Sequence, residues 1–402
     1  MHQKQHTALV LRLLEQCRRA NWAGWDPYDG LNSDLFHRLP FLDNNPCRLV
    51  FSQLMKRSPV NLRPLLGVPP GQNPKGLALF TSALVRLAGL GSANLAEART
   101  LGDTLIESRC PGKDHFCWSY HFDWQTRRRL VPRTIPNIVS TSFVANAFLD
   151  LYAATHHAPY LEIARSAGRF ITDELAANLP ADAFCVRYYT ISNSSVHNAS
   201  LLGAALLARL SGFTSETRLT SFIVNATGYS LKRQRADGSW PYGESPLQAW
   251  VDSFHTGYNL LALRDIGRHF EIPGLSEAVE RGYAFYRRHF FREDGAVRYF
   301  HDRTYPVDAH AVGHALLTLA EFSDQDPTAF EQTSTCIDWA MKYLWSPRGY
   351  FYYQYRPWFT NRISYMRWSQ AWMLTGLVAV LERETAKREE SSHQDNGSKV
   401  AP

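Results

Sequence analysis

Asp237-Gly238-Ser239-Trp240-Pro241-Tyr242 and Asp294-Gly295-Ala296-Val297-Arg298-Tyr299 stand 57 residues apart and have the same form, a tight turn leading into a short aromatic segment. Gly349-Tyr350-Phe351-Tyr352-Tyr353 follows 54 residues after Gly295. Upstream, Phe116-Cys117-Trp118-Ser119-Tyr120 and Phe184-Cys185-Val186-Arg187-Tyr188-Tyr189 occupy corresponding places. A fixed period of this length marks a repeat architecture. Between the turns lie pairs of helical patterns. One member of each pair is apolar nearly all round and is expected inside; the other is amphipathic and is expected outside.

The expected inner helices are Gly76–Leu90, Ser140–Thr155, Ser195–Leu210, Ser253–Arg268, Asp308–Phe322 and Ser364–Glu382. The expected outer helices are His6–Ala20, Asn94–Arg109, Pro159–Ala176, Ser215–Gln234, Pro273–Phe291 and Pro327–Leu344. Six hairpins that bury faces only against neighbours can close into a ring. The expected fold is therefore all-α, an (α/α)6 toroid over residues 1–385, with His6–Ala20 pairing with the last inner helix. An open solenoid is the alternative, because 21–73 breaks the pattern. The polar stretch 386–402 is expected to be a disordered tail.

In such a ring the loops entering the inner helices surround a cavity. Aligning Gly257 with Gly313 sets Asp252 on Asp308 and Phe254 on His310, and one repeat earlier gives Ser195 with His197 and Asn198 beside it. The last repeat supplies Tyr365, Arg367, Trp368 and Gln370. Paired carboxylates can divide acid and base roles, so Asp252 and Asp308, with His255 and His310, are the candidate catalytic groups. Arg367 is a candidate for holding a substrate carboxylate. Trp250 and Trp368 are candidates for stacking on sugar rings. His197, Asn198 and the loop residues Asp26, Tyr28 and Asp29 are further binding candidates. The alternative for each Asp is plain N-capping, and for each His a satisfied core position. The alternating run Trp118 to Gln125 suits a sugar-contacting rim or a hairpin covering the barrel end.

The 402 residues carry 43 basic and 37 acidic side chains, net +6, with no basic block beyond Arg127-Arg128-Arg129. This argues against nucleic acid and suits a polysaccharide or oligosaccharide partner, an acidic one included. Six scattered cysteines form no CxxC pair; they are expected to be reduced thiols of a cytoplasmic protein, with no metal site. No secretory leader and no stretch of about 18 apolar residues is read from the sequence. GxGxxG, P-loop, HExxH and GxSxG motifs are absent, so no cofactor is expected.

The small apolar inner helices and Asp/Gly-aromatic turns resemble the six-hairpin glycosidase-like superfamily, whose members include glycoside hydrolases, uronyl hydrolases and sugar epimerases. Trp25 to Ser33 (WDPYDGLNS) is similar to toroid proteins of bacterial exopolysaccharide biosynthesis. The resemblance implies a carbohydrate-active enzyme, hydrolase-like or epimerase-like, of polysaccharide biosynthesis or modification. It also implies that an Asp at the mouth of an inner helix, matched by place to Asp252 or Asp308, acts as acid and base. A non-catalytic carbohydrate-binding or assembly protein is the alternative. The segment Gln234 to Trp240 also resembles the Q…DGSW repeat of terpene cyclases, but DxDD and DDxxD are missing here.

Overall fold

A computed structural model describes residues 2–397 apart from 128, 178, 181–183, 193 and 215. The helices in chain order are α1 (His2–Arg19), α2 (Asp34–His37), α3 (Asn45–Arg57), α4 (Pro74–Gly89), α5 (Leu95–Glu107), α6 (Ile138–Thr155), α7 (Ala158–Arg169), α8 (His197–Thr214), α9 (Thr220–Leu231), α10 (Ser253–Gly267), α11 (Leu275–Phe290), α12 (Ala309–Glu321), α13 (Pro327–Tyr343) and α14 (Trp372–Gly397). α7 runs on into a π-helical turn, Phe170–Leu175, and α14 is entered through another, Met366–Ala371.

The architecture is the expected (α/α)6 toroid. α4, α6, α8, α10, α12 and α14 pack each on the next, and α14 packs back on α4. That last contact closes the ring and excludes the open spiral. α5, α7, α9, α11 and α13 back their preceding inner helices, and α1 backs α14. α6 buries Ile138, Val139, Val144, Ala145, Phe148 and Leu149 on several faces, as a helix enclosed by protein must. It is also long and apolar enough to cross a membrane by composition, which the sequence reading had not found in any segment; in the ring it lies between α4 and α8. By contrast α11 buries Leu275, Ala278, Val279, Gly282 and Tyr286 at the spacing of one helical face.

The repeated glycine has a backbone reason. Gly238, Gly295 and Gly349 have φ of +90°, +89° and +90°, a region that disfavours side chains. A Cβ on Gly238 would lie 2.3 Å from the Arg281 carbonyl oxygen, and one on Gly295 2.3 Å from that of Thr335. Each turn thus leans on the next outer helix. Gly349 keeps the positive φ but has room to spare, a Cβ there lying 3.5 Å from Arg12 of α1, so the last turn also borders the first helix.

Short backbone bridges run round the end of the ring where the inner helices start. They join Asn137 to Tyr189, Val196 to Gly243 and Asp252 to Phe300. Strand β3 (Val307–Asp308) pairs antiparallel with β4 (Gln354–Tyr355), which pairs with β5 (Thr360–Asn361). The circuit continues from Tyr365 to Trp25 and from Gly24 to Gly71. The broken region 21–73 therefore completes the mouth. The run Trp118 to Gln125 ends in a two-stranded hairpin, β1 (Trp124–Gln125) with β2 (Leu130–Val131), beside this end. The polar tail expected from residue 386 begins inside α14, which extends to Gly397; 398–402 lie outside the described residues.

α12 and α14 approach to backbone contact. A Cβ at Gly376 would meet the Gly313 carbonyl oxygen at 2.1 Å. Gly376→Ala is expected to force the helices apart at a cost of about 1–3 kcal/mol, read as a lowered urea midpoint; an unchanged midpoint would contradict this packing.

Candidate active site

Asp252 and Asp308 are both N-caps, and both face the mouth. Asp252 Oδ1 accepts from the His255 backbone N–H at 2.9 Å, and Asp308 Oδ1 from that of His310 at 2.8 Å. The two caps share neighbours. Phe254 stacks on His310 with centroids 4.3 Å apart and touches Trp368. Burial raises the Tyr299 phenol well above its usual range, and the charges of Tyr28, Asp252 and Asp308 add to this. Both residues are therefore helix caps, and they share aromatic neighbours at the end of the ring where the inner helices start.

Asp252 also orients a histidine. Its Oδ2 accepts from His255 Nδ1 at 2.7 Å and from Trp250 Nε1 at 3.0 Å. A carboxylate oxygen can only accept, so Nδ1 carries a ring hydrogen, and in the neutral imidazole the lone pair is then on Nε2. Nε2 has no hydrogen-bond partner among the described residues, and the His255 side chain is 22% exposed. Tyr242 packs against His255 and stacks on Trp250 at 4.7 Å and 11°. Trp250 is 38% exposed, so a flat aromatic face borders the imidazole.

Asp308 is different. It has no exposed surface, and its oxygens also accept from Gln354 Nε2 at 2.7 Å and Trp368 Nε1 at 2.9 Å. Burial outweighs these donors and raises its carboxyl to about 6. The folded value thus lies above the unfolded value of about 4. The stability this group contributes is full below about pH 4 and is lost as pH rises through 6. Asp308→Asn is expected to remove up to about 3 kcal/mol of that decline, measured as urea unfolding at pH 4 and pH 7. An unaltered pH slope in the variant would refute the assignment.

Behind Asp308 the ring is packed with aromatic and basic groups. His310 lies stacked between Phe254 and Trp372, its Nε2 2.9 Å from the Tyr258 hydroxyl. Lys75 Nζ donates to the same hydroxyl at 3.2 Å. Burial, then the charge of Lys75, keeps His310 well below the usual imidazole range; burial, then the charge of Arg367, does the same to Lys75 relative to an ordinary ammonium. Both are buried in the floor of the ring.

The loop residues and Arg367 are engaged with each other. Arg367 Nε and Nη2 donate to the two Asp26 oxygens at 2.6 and 2.8 Å. Burial opposes the charge of Asp26, but the guanidinium prevails and holds its carboxyl below the usual range. Asp29 accepts from Arg63 Nε at 2.6 Å with both side chains fully buried; burial pushes Asp29 up to about 6 against the pull of Arg63. Arg367 was expected to hold a substrate carboxylate and instead holds one of the chain's own. Asp26 and Asp29, expected to bind substrate, are fully buried, because a guanidinium inside protein needs a carboxylate partner. Tyr28 is half-buried. Its hydroxyl accepts from Lys56 Nζ at 2.7 Å and its ring contacts Trp368.

No family model matches the chain, and no curated protein matches it in sequence. Solved structures do. The structure of an unsaturated glucuronyl hydrolase specific for heparin superposes over 95% of this chain and 98% of that one, with TM-score 0.64 and 13% identity. A GH76 α-mannanase from Bacteroides thetaiotaomicron gives 0.61 at 12% identity, over 78% and 88% of the chains. Cellobiose 2-epimerase from Bacillus thermoamylovorans gives 0.59 at 12% identity over the same shares. The chain shares the toroid fold of these structures. At this level of identity the likeness is one of architecture.

The toroid separates residues that the repeat alignment had grouped. His197 lies on the outer side of α8, its Nδ1 3.1 Å from Ser230 Oγ of α9 and its Nε2 2.6 Å from Glu244. It was grouped with the cavity because it begins an inner helix, but 3.6 residues per turn rotate it towards the outer layer. Asn198 occupies the place of His255 one repeat earlier and is buried. Lys75, Tyr258, Tyr242 and Tyr299 escaped the sequence reading. Lys75 did leave a signal, a lone cation at the start of an otherwise apolar helix. The tyrosines left none beyond composition.

Proposed function

We propose that this toroid is a carbohydrate-active enzyme of polysaccharide biosynthesis or modification, in which His255 transfers a proton at a sugar carbon or glycosidic oxygen. The observation that supports this most is the Asp252–His255 pair, an imidazole held by a buried carboxylate with its second nitrogen open beside the Tyr242–Trp250 platform. A group so oriented is a ready general base. Epimerisation or elimination fits better than hydrolysis by two carboxylates, because both Asp308 oxygens are occupied and buried. The neighbours named above include a sugar epimerase and an unsaturated glucuronyl hydrolase, which fits proton-transfer chemistry on a sugar chain, uronate-containing chains included.

A thermal-shift screen of neutral oligosaccharides and uronates tests the substrate class, since a ligand of the native state raises its stability. Trp250→Ala is expected to weaken the responding glycan by roughly threefold to tenfold. Lack of any stabilising saccharide would count against the proposal. A non-catalytic binding protein would show the shift and the Trp250 effect, but no turnover that depends on His255.

A further inference from the structure

Two long stretches of the chain, 44–96 and 339–381, contain no Asp or Glu. The structure brings part of each to one surface. On α3, Val50 and Leu54 sit one turn apart and are 59% and 62% exposed, and Val60 follows beyond its end. The turn between β4 and β5 carries Trp358, 92% exposed, and the exposed Phe359. Asn361 Nδ2 donates to the Ser58 carbonyl oxygen at 2.9 Å, which ties this hairpin to the end of α3. Cations are interleaved with the apolar groups. Arg57 and Arg362 are exposed, and the Arg356 guanidinium lies 6.0 Å from the Phe359 ring. Exposed apolar surface gathered in this way marks an interaction site.

We propose that this face docks on an anionic membrane surface, with Trp358, Phe359 and Leu54 entering the headgroup boundary and Arg57, Arg356 and Arg362 meeting lipid phosphates. Aromatic tips flanked by long cationic side chains suit an environment apolar on one side and wet and anionic on the other. A second copy of the chain is a poorer occupant, because a two-fold contact would set the carboxylate-free surface against itself. The face adjoins the mouth of the toroid. Lys56 of α3 donates to the Tyr28 hydroxyl, so docking brings the opening close to the headgroups.

The test is flotation of the full chain with phosphatidylcholine vesicles, with and without about a third phosphatidylglycerol. Binding is expected only to the anionic vesicles and is expected to fall steeply with salt. Trp358→Ser with Leu54→Ser, and separately Arg356→Gln with Arg362→Gln, are expected to weaken it at least tenfold while leaving the thermal midpoint in place. Leu54, Trp358 and Arg362 are exposed, and Arg356 is half-buried with a 3.3 Å bond to Gln354, so the thermal midpoint checks that the fold is kept. Absence of flotation with anionic vesicles, or flotation untouched by both double variants, overturns the proposal. So does self-association in light scattering that the same variants abolish, or binding to soluble dextran sulfate that is as tight as binding to vesicles and independent of Trp358.

Discussion

His255→Ala is expected to lower kcat on the responding glycan by about 10²- to 10⁴-fold, the range supplied by a positioned proton-transfer group. The fold should survive, because His255 is partly exposed and its backbone N–H, which Asp252 caps, is retained. Asp252→Asn separates orientation from capping. The amide oxygen can still accept from the His255 backbone N–H, but an amide N–H2 facing Nδ1 favours the opposite tautomer and takes the lone pair from Nε2. Its kcat should therefore fall nearly as far as that of His255→Ala, with a stability loss of about 1–3 kcal/mol because the amide N–H2 cannot accept from Trp250 Nε1. Incorporation of solvent deuterium into the product gives a second reading, lost in both variants if His255 exchanges a proton at carbon. Wild-type turnover by His255→Ala in a folded protein would remove His255 from the chemistry.

Asp26→Ala is expected to cost about 3–5 kcal/mol of stability, the typical result of leaving one partner of a buried ion pair uncompensated. The two charges sit 341 positions apart in the chain, and both side chains are at least 95% buried. Together they fasten the loop after α1 to the turn that leads into α14. Contacts of the Arg367 guanidinium with the rings of Tyr120 and Trp368, 5.3 Å to each centroid, offset little of the lost carboxylate. The double variant Asp26→Leu/Arg367→Met should recover much of the loss, because no charge is then stranded. Urea unfolding of the three proteins checks this; a loss below about 1 kcal/mol for Asp26→Ala would mean that water or another group compensates Arg367.

The two variants probe different kinds of information. Asp252 and His255 were legible as a pair because both lie at one helix start, where an Asp caps and the residue three positions on is brought back beside it. The Asp26–Arg367 pair was not legible as a pair. Each member was picked out for its chemistry, but nothing local says that a guanidinium in the last repeat meets a carboxylate in the first loop. That meeting exists only because the ring closes.

The chain's own order of residues determined the helical periodicity, the glycine turns of positive φ, the inner and outer layers and the N-caps, all of which rest on interactions within a few positions. Tertiary structure alone decided which polar groups face one another. It turned His197 outwards, buried Lys75 against Tyr258, spent Arg367 on Asp26 and left His255 open at the mouth. Such pairings follow from how six hairpins rotate and close around a common centre, and local pattern carries no record of that rotation.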